Sequence, residues 1–452
     1  MMKGFEHSGF WWDPRDPGTK WPGTLTFDPV TGASLKLTVT FTPAQLFGES
    51  REFDVIHGET AGSLPVTLLH CFERGASEMF ANAVIVGFHA DQPDPPIAVA
   101  AAVIENLKEW WGQNALSHDP LLTFPNIGVR YTQPEATEVD DDAIIRTTIH
   151  SSPLASFERT SVSVEEEIRI EMTASEARPL SAFRQRIHAC QDLLSIASLT
   201  LCNVEELRLV PPSDDGKHKV VGRFYAVPVF KNPAEGWPDF LFRHKDIAPR
   251  VREVFSAWLN NAERLSAVRS LYMSAAYGKS FLELRLLAFA QAAEAYHRRM
   301  YEGQDLYMDA GTYERNILPG LQAAIPESLG SSHAQALRNR LKYGNQISFP
   351  RRLRTLFKEH EAALATVIPN PCGWVERIVD YRNDLTHHPV VDDRSDVDKI
   401  GLIRCNWVLR ILLDLCFLKS MAIDAEGIKQ LAEGCERYRQ IKQRFFRAPV
   451  SS

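Results

Sequence analysis

Within the stretch Tyr381-Arg382-Asn383-Asp384-Leu385-Thr386-His387-His388-Pro389 lie an arginine, an amide and two histidines close together in the chain. An arginine makes bidentate, permanently charged contacts to phosphate oxygens. A histidine, with an ordinary pKa near 6.5, takes up or gives away a proton at neutral pH. Together they supply what scission of RNA without a metal requires: a base for the 2′-hydroxyl, an acid for the leaving 5′-oxygen and positive charge for the phosphorane. Asn383 is placed to orient the His387 ring or to hydrogen-bond the substrate.

The loose pattern of Arg followed by His is not selective, since Arg51 with His57 and Arg354 with His360 also satisfy it. Context separates them. Arg51 lies in a strand-rich region and Arg354 in a helix that reads as solvated, whereas Arg382 is followed by Asn and lies between two long amphipathic helices. On a helix Asn383 and His387 share a face as i and i+4, but Arg382 and His387 stand roughly 140° apart at about 100° per residue. Pro389 disfavours helix at His388, so the helix should end near His387. A second copy bringing its own pair across a two-fold axis would complete the site. The competing reading is structural, with the histidine at the helix C-terminus and Arg382 paired to Asp380 or Glu376.

The elements that must carry these residues divide the chain in two. Residues 1–240 read as a β-rich α+β domain. Residues 23–27 and 34–41 alternate with period two around the turn Asp28-Pro29-Val30-Thr31-Gly32. Residues 66–71 and 83–88 read as strands, and 161–172 alternates with Val162, Val164, Ile168, Ile170 and Met172 on one face. Helices are expected over 98–111 and 180–198, and the acidic run 135–142 as a solvated loop. Residues 241–452 read as an all-α bundle, with helices near 248–258, 262–277, 281–300, 312–324, 333–341, 353–368, 373–386, 396–422 and 425–446. In the third of these Leu282, Leu286, Phe289, Ala293 and Tyr296 form one apolar stripe.

Composition narrows the function classes. A net charge of −7 is not that of a general nucleic-acid coat protein, so RNA would be held by local basic groups. Seven scattered cysteines without a C-x-x-C pair argue against a disulfide framework and a structural zinc site, and so for a cytoplasmic protein. No apolar run approaches the roughly 20 residues that span a bilayer. There is no glycine-rich phosphate loop, no H-E-x-x-H and no serine-nucleophile elbow; His57 and Glu59 lack a third ligand, so neither metal nor cofactor is expected. Trp11, Trp12, Trp21, Trp110 and Trp111 read as residues that seal a core edge.

R-N-x-x-x-H over 382–387 resembles the active-site motif of HEPN ribonucleases. So does its setting, after a helix with Phe289-Ala290-Gln291-Ala292-Ala293-Glu294 and before Trp407-Val408-Leu409-Arg410-Ile411-Leu412-Leu413-Asp414-Leu415. The first half, with Gly9-Phe10-Trp11-Trp12, Gly23-Thr24-Leu25-Thr26-Phe27-Asp28-Pro29 and Ile56-His57-Gly58-Glu59-Thr60, resembles the N-terminal domain of ApeA-type anti-phage proteins. The resemblance covers nearly the whole chain. It implies a defence ribonuclease acting by abortive infection, with a helical half that cuts RNA, tRNA among the candidates, and a first half that senses a phage-derived trigger or restrains the cut. It further implies His387 as general acid/base, Arg382 as phosphate ligand, Asn383 beside it, and His388 and Glu294 as secondary candidates. A homodimer or higher homo-oligomer and no membrane partner are expected. Basic groups at Arg298/Arg299, Arg338/Arg340, Arg351/Arg352 and the C-terminal arginines are candidate RNA contacts. The alternative is a non-catalytic HEPN scaffold that binds RNA, a nucleotide or a protein.

Overall fold

The computed structural model describes residues 3–38, 52–75, 77–113, 115–118, 129–151, 164–213, 220–227, 239–387 and 396–446. They fall into two compact units, 1–260 and 261–452.

The first unit is built on a twelve-stranded antiparallel sheet that is closed at one end. Strands β1 (Phe5–Trp12), β2 (Trp21–Asp28), β3 (Gly32–Leu37), β4 (Glu52–Thr60), β5 (Pro65–Glu73) and β6 (Glu78–Val86) run β6-β3-β2-β1-β4-β5 and return to β6, a six-stranded barrel. The expected hairpin joins β2 to β3. Asp28 Oδ1 accepts from the amides of Val30 and Thr31, both at 2.8 Å, the side-chain chemistry that marks such turns. Trp11, fully buried, fills the barrel and its indole donates to the Gly23 carbonyl at 3.2 Å. A Cβ on Gly58 would lie 2.2 Å from that ring, so only glycine lets β4 pass it.

One edge of β6 carries β5, and the other is shared by β3 and then by β14 (Gly222–Ala226). From there the sheet continues open through β13 (Val204–Val210), β7 (Pro96–Ile104), β12 (Val164–Pro179), β11 (Ala143–Ser151) and β10 (Thr137–Asp140). Strands β8 (Leu116–His118) and β9 (Val129–Tyr131) pair separately. Helix α2 (Leu180–Ser198) packs on β7 and β12, on the side of Ala100, Ala102, Ile168, Ile170 and Met172, all nearly fully buried. Val162, expected on that face, lies outside the described residues.

Two expectations change here. The alanine-rich run expected as a helix over 98–111 is the central strand β7 followed by one short helix, α1 (Leu107–Trp111). Alanine's helix preference is overridden because small side chains let a strand lie buried between β12 and β13 with α2 on it. The acidic run 135–142 is not a bare loop. Val139 is fully buried, Asp140 and Asp142 take Arg186 at 2.5 and 2.6 Å, and Glu138 and Asp141 take Arg252. After α3 (His244–Ile247), helix α4 (Val251–Asn261) brings Arg252 and also Trp258, whose indole donates to the Ala189 carbonyl at 2.7 Å. The helix expected to open the bundle therefore packs in the first unit, and the division falls after Asn260 rather than at 240.

The second unit is a helical bundle. It comprises α5 (Ser266–Tyr277), α6 (Leu282–Met300), α7 (Ala310–Thr312), α8 (Leu318–Ala323), α9 (Ser331–Lys342), α10 (Phe349–Glu359), α11 (Glu361–Val367), α12 (Trp374–His387), α13 (Asp396–Ser420), α14 (Ala425–Gly434) and α15 (Glu436–Ile441). Two expected single helices are divided, 353–368 at His360 and 425–446 at Cys435, whose ψ of 115° is extended. Helix α13 is the hub: Leu409, Ile411, Leu412, Leu413, Leu415, Cys416, Phe417 and Leu418 are all fully buried. Among them Asp414 accepts from the hydroxyls of Tyr272 and Tyr438. Six of the seven cysteines are buried and all are unbridged. Among the described residues no helix is long and apolar enough to cross a membrane.

Candidate functional site

Helix α12 carries the motif. Val375 and Ile378 anchor it in the core, both fully buried. Arg382 stands at i+4 from Ile378 and i+7 from Val375, the place where that apolar stripe turns polar. It is half-buried, with its guanidinium 5.7 Å from the centre of the Phe349 ring at the start of α10 and its Nη1 3.3 Å from Asn383 Oδ1. The hydroxyl of Thr386 donates to the carbonyl of Arg382 at 2.9 Å and lies 3.2 Å from that of Asn383, closing the last turn. His387 is the last described residue of α12. His388 and Pro389 lie outside the described residues, and so does the expected end of the helix.

The structural reading of Arg382 required a carboxylate. Glu376 instead pairs with Arg354 at 2.9 Å, and among the described residues no carboxylate pairs with Arg382. A half-buried arginine resting on an aromatic ring, with an amide beside it and no carboxylate partner among the described residues, has the chemistry of an anion ligand.

The secondary candidates are placed elsewhere. Glu294, on α6, takes Arg298 at 3.0 Å, and Arg298 also reaches Gln346. Arg299 donates to the carbonyl of Arg264 at 3.0 Å. Arg338 and Arg340 are exposed on α9, and Arg351 is exposed over the Tyr307 ring. Arg352 requires correction as an RNA contact. It is fully buried, its Nη1 donates to His297 Nδ1 at 3.2 Å and its Nη2 reaches the Asp305 carbonyl. Burial, with the Arg352 charge added, pushes the His297 imidazole down to about 4, so that ring stays neutral and accepts. The sequence places Arg351 and Arg352 on one candidate surface, whereas helical spacing turns Arg352 inward beside Leu353 and Leu356.

A cleft of about 580 Å³ opens beside the motif. Trp374, Arg377, Asp380, Tyr381 and Asp384 of α12 line one wall, and Ile400, Gly401 and Arg404 of α13 the other. Arg382 and Asn383 stand on α12 outside this lining. The two helices approach so closely that a Cβ on Gly401 would fall 2.1 Å from the Tyr381 hydroxyl oxygen. Sequence reasoning did not single out Arg377 or Arg404; 27 positions apart, they carry no local signal, and only the antiparallel packing of α12 and α13 makes them neighbours of one cleft.

A strand-built first unit followed by a helical bundle, with Arg-Asn-x-x-x-His on a helix beside a polar cleft, is the layout of an HEPN-type protein with a separate N-terminal domain. The model of the ApeA N-terminal domain 1 matches residues 6–258, and that of the Apea-like HEPN domain matches 287–427. The chain belongs to the ApeA family, and so to the anti-phage proteins of HEPN type, whose helical domains are generally nucleases. No curated protein and no solved structure matches it.

Proposed function

We propose that the protein is an RNA endonuclease of phage defence that cuts without a metal, with Arg382, Asn383 and His387 as its catalytic residues. The observation that carries this reading is the half-buried guanidinium of Arg382, without a carboxylate among the described residues, on the helix that also carries His387. In the reaction the 2′-oxygen attacks phosphorus as its proton leaves to a base, and the bond to the 5′-oxygen breaks as that oxygen gains a proton. The products carry a 2′,3′-cyclic phosphate and a 5′-hydroxyl. His387 serves as acid or base, Arg382 offsets the charge on the phosphorane, and Asn383 holds the guanidinium or the substrate. His388 and Glu294 are secondary candidates.

Because residues 382 and 387 stand roughly 140° apart on α12, the reading includes a second copy that completes the site. Phe281, 78% exposed, and Leu284, 56% exposed, begin α6. The Asn406 amide donates to the Leu282 carbonyl, which brings the start of α6 to the turn of α13 that follows exposed Ile400. Exposed apolar side chains at the start of α6 and on α13 suit self-association. Exposed Arg338, Arg340 and Arg351 are proposed as outlying phosphate contacts, tRNA as a candidate substrate, and the first unit as the part that answers a phage-derived trigger in the cytoplasm.

The test is to map new 5′-hydroxyl and 2′,3′-cyclic phosphate ends in RNA from phage-challenged bacteria carrying wild type, Arg382→Ala or His387→Ala. Ends only with wild type support the nuclease. Equal protection by all three without new ends across a broad phage panel would replace it by a non-catalytic scaffold that binds RNA, a nucleotide or a protein.

A further inference from the structure

The cleft between α12 and α13 holds two guanidinium groups that the motif does not use. Arg377 sits 5.0 Å over the Trp374 ring, which is itself buried edge-on against Phe446 at 5.5 Å. Arg404 comes from the facing helix, and its Nε is buried without a hydrogen-bond partner. Asp380 and Asp384 line the same cleft, yet among the described residues neither arginine forms an ion pair. Arginines elsewhere in the bundle do find acceptors: Arg264 takes Glu302, Arg298 takes Glu294 and Arg354 takes Glu376. Two positioned cations left without carboxylates, in a protein of net charge −7, mark a place for an external anion.

The surroundings say what kind. Arg377 and Arg382 are five residues apart on α12, a rise of roughly 7.5 Å and a turn of roughly 140°, so a strand that reaches both must pass around the helix. Half-exposed Tyr381 offers a ring, and the carboxylate of Asp380 can accept from exocyclic amino groups of a base. We propose that this cleft is the subsite for the single-stranded RNA segment next to the scissile bond, with Arg377 and Arg404 each contacting a phosphate and Tyr381 contacting the nucleoside between them. The proposal rests on the nuclease reading above and adds its substrate track.

The test uses the full chain with His387→Ala, so that RNA is not cut, and a fluorescein-labelled single-stranded oligoribonucleotide of mixed sequence as probe. Arg377→Gln and Arg404→Gln should each lower the slope of log affinity against log salt by about 0.7, and together weaken binding about tenfold. Arg264→Gln, in a paired arginine, should change neither. Gly401→Ala, which pushes Tyr381 from its seat, should weaken binding with the slope kept; unfolding midpoints close to the parent confirm folding in every case. Unchanged affinity and slope in both arginine variants would overturn the proposal. So would a change confined to the sedimentation coefficient, which would make the cleft a contact between copies. If cleft variants lose RNA while wild type leaves no new ends, the subsite stands and the nuclease reading falls. If the same cleft substitutions in the chain that keeps His387 bind and cut as wild type does, with cutting still dependent on Arg382, the reverse holds.

Discussion

The open sheet of the first unit and the motif helix with its cleft in the second use arginine in opposite ways. On the open sheet of the first, arginines and glutamates alternate across four strands. Arg146 meets Glu171 at 3.5 Å, Arg169 meets Glu171 and Glu167, Arg208 meets Glu167 at 2.7 Å and Glu206 at 2.8 Å, and Arg223 meets Glu206 at 2.9 Å. The glutamates hold the Arg208 guanidinium well above its usual range, and Arg208 in turn holds Glu206 below the usual carboxylate range. Charges that satisfy one another across strands brace a sheet. At the motif end of the bundle, Arg377, Arg382 and Arg404 have aromatic neighbours or none, and no carboxylate among the described residues. A cation without a counter-ion is weak as a brace and well suited to an anion that comes and goes. Pairing, rather than the number of basic residues, separates scaffold from site.

The comparison is broken most directly at the motif. Arg382→Ala or His387→Ala should lower the yield of new RNA ends by about a thousandfold and shift unfolding free energy by less than about 1 kcal/mol; a large loss of stability would place Arg382 with the bracing arginines instead.

A smaller effect is expected in the bundle core. Burial pushes Asp414 up to about 6 against the pull of Arg410, so the folded state holds this proton more tightly than the unfolded chain does. The stability from that proton is complete below about pH 4 and is lost as pH rises through about 6, an amount on the order of 3 kcal/mol. Asp414→Asn should flatten that part of the curve of denaturant midpoint against pH, and an unaltered slope would refute the assignment.

Within the ladder, Glu167→Gln strips Arg208 of one of its two carboxylates and should cost about 2 kcal/mol in urea unfolding. A neutral result would mean the ladder does not brace the sheet. Least of all, Arg354→Gln removes an exposed pair with Glu376 and should change stability by less than about 1 kcal/mol, with RNA cutting intact.

Local physics was legible where it had no competitor. The Asp28 turn and the span of α2 follow from turn chemistry and apolar period, each complete within a few residues. Reading went astray where a second layer decided. Ala98 to Ile104 satisfies a helix or a strand equally until β12 and β13 flank it, and α4 shows a helical period without showing that Trp258 will seek Ala189. Arg352 looks like Arg351 in the chain, yet one turns inward to His297 and the other outward.

The sequence by itself thus determined the class of each unit, the family and the short constellation of Arg382, Asn383 and His387, because these depend on residues near one another in the chain. Only the tertiary structure decided that Arg382 lacks a carboxylate, that Glu294 belongs to Arg298 and that Arg377 and Arg404 share a cleft. Whether a charge is committed is a property of what packs against it, and helices far apart in the chain supply that.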